Sequence, residues 1–197
     1  MFLPSVLSGF RRIYPRIRVD IQSSPNTMLQ ESMRRGELDL CLLDNCPEGG
    51  RVVHREPVVW AGSRLGTAHE EDPLPLAVYH EGCRYRQWAL EALHEIGKEY
   101  WISFVSPSIT SILAAVKMGL AVAPIGASIV NESLRVLGPE TGLPILPVSE
   151  VRLYQSQTVK NEPVACFADY VTQSFQLMKY PGKEFDNEDL ENGVFSP

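Results

Sequence analysis

The stretch SFVSPSITSILAAVKMGLAVAPI, residues 103–125, decides the fold. It opens and closes on apolar runs that are typical of buried strands. Between the runs, Ile109, Ile112 and Val116 recur at helical spacing. Gly119 follows them and can take the left-handed conformation that ends a helix. The stretch therefore predicts a strand, a helix and a second strand, which together make a βαβ unit.

The start of this predicted helix is rich in hydroxyl groups. Ser106 is placed to accept a hydrogen bond from the first helical turn, and Pro107 suits the first helical position. Ser106, Ser108 and Thr110 would then edge a helix N-terminus, where unpaired N–H groups and the helix dipole attract a carboxylate or phosphate. Two interpretations stay open here: the hydroxyls only cap the helix, or they hold a ligand.

Strands alternate with helices along almost the whole chain, a pattern typical of parallel sheets covered by helices. The βα units form two groups, at about 1–57 and 74–146, and a strand and a helix return at 150–178. If that last helix packs on the first group, the chain crosses twice, at about 58–61 and 149–156. Two lobes joined by two strands would form a ligand-binding cleft.

The first group begins with two clear periodic segments. Residues 4–14 predict an amphipathic helix that ends at Pro15. In the next segment Ile17, Val19 and Ile21 alternate with charged residues, which is the period of a half-buried strand. A helix over 26–35 and a strand over 38–43 are predicted to follow.

Charge argues against a nucleic-acid surface. The 197-residue chain has a net charge of −6, of which the five carboxylates and one lysine of residues 183–197 contribute −4. The remainder carries −2, whereas phosphate binding needs clustered lysine and arginine. Residues 183–197 have no pattern that would bury a face, so we expect an acidic, mobile tail.

Cysteine usage and hydropathy point to a reduced, cytoplasmic protein without a metal. Cys41, Cys46, Cys83 and Cys166 do not have the spacing of a zinc site. The chain opens directly on an amphipathic helix rather than on a signal peptide. Its apolar runs are shorter than a membrane span.

Four stretches, taken in this order along the chain, resemble the regulatory domain of LysR-type transcriptional regulators. The resemblance covers roughly residues 2–178. The four stretches are FLPSVLSGFRRIYPRIRVDI (2–21), MLQESMRRGELDLCLL (28–43), CRYRQWALEALHEIGKEYWISFVS (83–106) and the residues 103–125 quoted above.

The resemblance implies an α/β fold of the type II periplasmic-binding-protein kind, with two lobes joined by two crossover strands. Lobe I would comprise residues 1–57 and 150–182, and lobe II residues 58–149, with the tail 183–197 outside both. A small polar or anionic effector would bind between the lobes.

The resemblance also assigns the effector contacts. Lobe I would supply the loop and helix start around residue 25 and the end of a strand, and lobe II a helix start, a strand end and an arginine. For Arg86, a surface ion pair is an equally good interpretation. The predicted ligand-binding residues are Ser23, Ser24, Asn26, Thr27, Asp44, Arg86, Ser106, Ser108, Thr110 and Pro124.

Two parts of the family pattern have no counterpart in this sequence: the N-terminal helix-turn-helix domain and the first strand of lobe I. We therefore expect specific DNA binding only through a helix-turn-helix domain that this chain lacks. The missing central strand would leave backbone edges open. The family also implies a homo-oligomer, a dimer or a tetramer in the full-length protein, paired through 4–14 and 17–22.

A ligand sensor is the leading functional interpretation, and we predict no catalytic residue and no cofactor. The alternative is a stand-alone binding protein or an enzyme on the same fold. None of His54, His69, His80 and His94 is predicted beside a serine or cysteine nucleophile with an orienting carboxylate. A periplasmic receptor is disfavoured by the cysteines and the absence of a signal peptide.

Overall fold

A computed structural model describes residues 3–46, 49–156 and 161–177. The predicted tail 183–197 lies outside the described residues. Among those described, no helix is long and apolar enough to cross a membrane. The helices are α1 Leu3–Ile13, α2 Asn26–Arg34, α3 Arg84–Glu95, α4 Ile109–Lys117 and α5 Glu162–Gln176, and the strands are β1 Leu40–Asp44, β2 Arg51–Ser63, β3 Leu74–Val78, β4 Tyr100–Val105, β5 Ala123–Gly126, β6 Leu134–Leu137 and β7 Val148–Gln155.

The chain divides into two compact units. Among the described residues, unit 1 takes those up to Arg55 and those of 150–177, and unit 2 takes Glu56–Ser149. The chain passes from one unit to the other within β2 and returns within β7. Short 3-10 turns at Ala68–Glu70, Ala127–Ile129 and Pro139–Thr141 complete unit 2.

Unit 1 is built around aromatic packing between its first and last helices. Phe10 of α1 is buried, and its ring centroid lies 4.7 Å from that of Phe167 and 5.3 Å from that of Tyr170, both on α5. Val6, one helical turn before Phe10, packs into the same core. The periodicity of residues 4–14 is thus explained by burial against α5. Beside these helices β1 pairs antiparallel with β7, in the register Leu42↔Leu153.

The strand predicted over 17–21 does not form, so that prediction is wrong. Residues 17–25 are described without regular secondary structure, and the side chain of Ile21 is 51% exposed. Alternation shows which side chains would share a face, but a strand also needs a hydrogen-bonded neighbour. In unit 1 the described ladder partners are taken up by β1, β7 and β2, and none pairs with this segment.

Unit 2 contains the βαβ unit that residues 103–125 predict. β3 pairs parallel with β4, and Leu76 forms a parallel bridge with Val122. Leu93 of α3 and Ile112 of α4 are both fully buried, in two core clusters that lie against these strands. The helices therefore cover the parallel strands, as the apolar spacing requires.

The expectation of parallel sheets fails for β1 and β7, which pair antiparallel, and for the strands that pair with β2. Both β5 and β6 run antiparallel to β2, in the registers Val59↔Ile125 and Ala61↔Val136. The reason is topological, because β2 enters unit 2 from unit 1 instead of following a helix of unit 2. After β5 the chain makes a single 3-10 turn, Ala127–Ile129, before β6.

A charged cluster in unit 1 lies where β2 and β7 meet the unit boundary. The Glu150 carboxylate accepts hydrogen bonds from Arg55 Nε at 3.0 Å and from Arg152 Nη2 at 2.7 Å. Burial alone would raise the pKa of Glu150, but the hydrogen bonds from Arg152 and Arg55 outweigh it, so the pKa is lowered. The ion pairs therefore stabilise the charged carboxylate in the folded state.

This cluster predicts an acid-dependent loss of stability. A carboxylate with a folded pKa below its unfolded value stabilises the protein above the unfolded pKa, about 4.3, and that contribution is lost as pH falls through the folded pKa. We expect Glu150→Gln to show a smaller loss of urea midpoint between neutral and acidic pH than the wild type. Glu132→Gln, at an exposed glutamate, serves as the control with wild-type behaviour. An unchanged pH profile in Glu150→Gln would contradict the assignment.

Candidate functional site

In unit 2 two of the predicted site residues, Ser106 and Arg86, contact the backbone at the carboxyl end of β3. The backbone N–H of Ser106 donates to the carbonyl of Val78 at 3.1 Å, which extends the β3–β4 pairing by one bond. The Ser106 hydroxyl accepts from the backbone N–H of Ser108 at 3.1 Å. Ser106 is 8% exposed, so it is a buried polar residue whose hydrogen bonds are made within the protein.

Helix α4 begins two residues later than the sequence predicts. Its first residue is Ile109, and Ser108 is the N-cap residue, with φ −96° and ψ 119° and no side-chain capping bond. The assignments of Ser106 as the helix cap and Pro107 as the first helical residue are therefore wrong. The physical reason is a local turn in which the Ser106 hydroxyl accepts a hydrogen bond from the Ser108 amide. This bond keeps the backbone extended at Ser108, so the helix begins after it.

The start of α4 presents polar groups to solvent. The hydroxyl-bearing Ser108 and Thr110 are exposed. The amides of Ser111 and Ile112 both donate to the Ser108 carbonyl, as in any first helical turn. Earlier amides of a helix have no intrahelical acceptor, so those of Ile109 and Thr110 are available to water or a ligand.

Arg86 lies at the same strand end. Its Nη1 donates to the carbonyl of Tyr79 at 3.3 Å, and Tyr79 directly follows the residue that binds Ser106. Its Nη2 lies 3.7 Å from a carboxylate oxygen of Glu81. The arginine side chain is 16% exposed and the glutamate side chain 91% exposed. The ion pair is therefore present, and it consists of a largely buried cation and a solvent-exposed anion.

Pro124 has a different environment from the other predicted contacts of unit 2. It is buried in β5, where it lies opposite Trp60 of β2. Its ring carries no hydrogen-bonding group, and proline has no N–H to donate. Packing in the sheet is the role that the structure describes for this residue.

In unit 1 the structure brings together Asn26 and Asp44. Asn26 is the first residue of α2, and its Nδ2 donates to the Asp44 carbonyl at 2.8 Å, at the carboxyl end of β1. Ser23 and Thr27 are exposed and Ser24 is half-buried. The N-cap position of α2 is held by Pro25, so neither serine caps this helix. Asn26 is the predicted residue that ties the helix start to the strand.

Sequence reasoning missed two side chains at this end of β1. Asn45 has a positive φ of 53°, and its Oδ1 accepts from the Glu150 amide at 3.0 Å. Asparagine directly after an apolar strand is a known signal for this left-handed conformation. Gln30 donates from Nε2 to the Cys46 sulfur at 3.2 Å. Both side chains brace the loop that follows β1.

Among the described residues, the titratable groups away from the ends of β3 and β1 do not form a set of catalytic residues. Burial, reinforced by nearby Cys46, raises the pKa of the Cys41 thiol to about 11, so it stays protonated at neutral pH. His69 is buried against Arg135, with Nη2 at 2.8 Å from the ring Nε2. Burial and then the arginine charge lower the pKa of His69. In the described part of the chain no histidines, cysteines or carboxylates cluster as a metal site.

A protein family described as "LysR substrate binding domain" matches residues 1–176. HTH-type transcriptional regulator DgdR of Burkholderia cepacia is 29% identical over 174 residues, which covers 87% of this chain and 59% of that protein. HTH-type transcriptional regulator PecT of Dickeya dadantii is 26% identical over 164 residues, which covers 81% of this chain and 51% of that protein. The chain thus spans a little over half the length of these relatives.

Solved structures with the same fold include the CcmR regulatory domain of Synechocystis PCC6803 in complex with 2-PG. Its TM-score is 0.70 at 18% identity, with 90% of this chain and 92% of that chain covered. At this identity the likeness establishes the fold, which is the α/β fold of LysR regulatory domains.

The hydrogen bonds at the start of α4 predict different stability effects for its two serines. Ser106→Ala leaves the Ser108 amide without its acceptor, and we expect a loss of about 1 kcal/mol. Ser108→Ala removes a hydroxyl that makes no capping bond, so its effect should stay within about 0.5 kcal/mol. Urea denaturation of the two variants measures both effects. Equal losses would contradict the assigned roles.

Proposed function

Because the chain belongs to the LysR substrate-binding domain family, we propose that it is the effector-binding domain of a LysR-type transcriptional regulator. A small polar or anionic molecule binds to it and thereby controls DNA binding and transcription by the full-length protein. The protein acts in the cytoplasm, where its DNA target would be. Units 1 and 2 serve as the two lobes of the domain.

The observation that carries this proposal is the convergence of donors at the carboxyl end of β3. Arg86 and Ser106 contact consecutive residues there, and Ser106 fixes the start of α4 through the Ser108 amide. A cation and a helix N-terminus at one strand end suit a negatively charged ligand. That a protein of the same fold forms a complex with 2-PG agrees with a small ligand.

In unit 1 we propose Asn26 as the corresponding contact, supported by Ser23, Ser24, Thr27 and Asp44. The Asn26 Nδ2 already donates to the Asp44 carbonyl at 2.8 Å and makes a longer contact of 4.0 Å with the Cys46 sulfur. Its Oδ1 is an acceptor that a hydrogen-bond donor of the ligand can use. Thr27 adds an exposed hydroxyl at the first turn of α2. Pro124 stays in the proposed set for unit 2 as an apolar residue of β5 that makes no hydrogen bond to the ligand.

The chemistry of these groups favours binding over catalysis. Hydroxyls, an amide, a guanidinium and backbone N–H groups hold a ligand by hydrogen bonds and charge. The family and the curated relatives are transcriptional regulators, not enzymes. A stand-alone binding protein or an enzyme on this fold is the less favoured alternative.

We also propose self-association through residues 4–14 and 17–22, as the family resemblance implies. Ile13 is 59% exposed and Ile21 51% exposed, although both are large apolar side chains. Residues 17–22 have alternating apolar side chains but no strand partner within the described chain. A second copy would cover this surface, and the full-length protein would form a dimer or tetramer.

A ligand screen tests the effector site. We expect at least one small carboxylate, phosphate or neutral polar metabolite to raise the melting temperature without being converted. Asn26→Ala and Ser108→Ala should each weaken its affinity about ten-fold or more, because each removes a hydrogen bond to the ligand. Ser133→Ala, at an exposed serine just before β6, is the control. Product formation would favour the enzyme, and unchanged affinity in both variants would refute these contacts.

Light scattering tests the proposed self-association. We expect Ile21→Asp to shift the protein toward monomer, because it places a charge on the apolar surface. Ile96→Asp is the matched control, since Ile96 is also 51% exposed but lies in unit 2 at the end of α3. A wild-type protein that stays monomeric at high concentration would rule out this interface.

A further inference from the structure

We infer that Glu81 is an internal competitor for the anion-binding arginine, Arg86, and so sets the selectivity of the site for charged effectors. This inference rests on the proposed function, and it names a residue that the sequence did not single out. It follows from the unequal burial of the two partners, from the turn that holds Glu81, and from the length of their contact.

The unequal burial makes the ion pair exchangeable. The side chain of Arg86 is largely buried, so beside the Tyr79 carbonyl its charge favours an anionic partner in place of the water it has lost. The carboxylate of Glu81 is almost fully exposed and keeps its hydration when it leaves. Another anion can therefore displace Glu81 at a small cost in free energy. The glutamate keeps its hydration, and the arginine keeps an anionic partner.

The position of Glu81 is fixed by a tight turn between β3 and α3. The Cys83 amide donates to the His80 carbonyl at 3.2 Å, and Gly82 has a positive φ of 87°. A turn with glycine at its third position has this geometry, and Glu81 occupies the second position. The Nδ1 of His80 lies 2.6 Å from the Glu81 carbonyl oxygen. The backbone of Glu81 is thus held by the turn, and only its side chain has to move when another anion binds Arg86.

The contact between Glu81 and Arg86 is ionic and not a good hydrogen bond. The closest N···O distance of 3.7 Å exceeds hydrogen-bonding range. A free carboxylate, sulfate or phosphate is not tethered to the turn and can approach the planar guanidinium with two oxygens at once. An anionic ligand therefore gains short hydrogen bonds that Glu81 does not make, whereas a neutral ligand leaves the pair intact.

The chain supplies matched controls for both partners. Arg84 is on the same helix, but its Nη1 donates to Gln87 Oε1 at 3.0 Å and its guanidinium lies 5.9 Å from the Trp88 ring centroid. Glu91 is an exposed glutamate on the same helix, and it accepts from Gln87 Nε2 at 2.7 Å. The variants Arg84→Gln and Glu91→Gln therefore change the charge of α3 without touching the Arg86–Glu81 pair.

The experiment titrates the protein with sodium sulfate against sodium chloride at equal ionic strength. The amide resonances of Ile109 and Thr110 are followed by NMR in the wild type and in Glu81→Gln, Arg86→Gln and the double variant. We expect Glu81→Gln to bind sulfate about two- to five-fold more tightly, the range of an exposed ion pair. Arg86→Gln should weaken binding, and the double variant should equal Arg86→Gln. Arg84→Gln and Glu91→Gln should match the wild type.

Three results would overturn the inference. The first is unchanged sulfate affinity in Glu81→Gln, and the second is the same tightening in the Arg86→Gln background, which would be a general charge effect. In either case the proposed site still stands if the Ile109 and Thr110 amides respond to sulfate. The third is the absence of any response in all variants, which would also restrict the proposed function to uncharged effectors.

Discussion

The parallel pairing of β3 with β4 is the constraint on which unit 2 depends. Two parallel neighbours cannot be joined by a short turn, so the chain must cross over, and here α3 makes the crossing. Parallel direction also places both carboxyl ends at one edge of the sheet. The bond from the Ser106 amide to the Val78 carbonyl is the last one of this pairing. The site proposed for unit 2 is built on the residues next to that bond, which are Tyr79 with its partner Arg86 and the Ser106–Ser108 turn.

The sequence predicts this part of the molecule well because local and tertiary signals agree there. Ile112 and Val116 are spaced for one helical face, and both are fully buried in the structure. What the spacing could not supply is the exact start of α4. Serine side chains compete for backbone amides in more than one way. The choice between a helix cap at Ser106 and a turn closed at Ser106 depends on geometry that a linear pattern does not contain.

The wrong predictions for unit 1 and for the strands around β2 have a different physical origin. Ile17, Val19 and Ile21 alternate as strand residues do, yet strand formation depends on a neighbour that the segment itself does not specify. The antiparallel direction of β2 relative to β5 likewise follows from the fact that β2 begins in unit 1 and continues into unit 2. Arg86 was identified from the family resemblance, but its partner Glu81 emerged only from the fold of the turn. Periodicity reports burial, whereas pairing and charge contacts are properties of the assembled chain.

Each of the two helix starts is tied to the end of a strand by a different kind of bond, and the difference bears on function. At α4 the buried Ser106 hydroxyl accepts a hydrogen bond from the Ser108 amide, and the side chains of Ser108 and Thr110 remain exposed. At α2 the tie is the Asn26 side chain itself, which donates to the Asp44 carbonyl. A ligand bound at α4 as proposed would meet groups that the protein does not need for its own packing. A ligand bound at α2 would share Asn26 with β1, which would couple its binding to the backbone of unit 1.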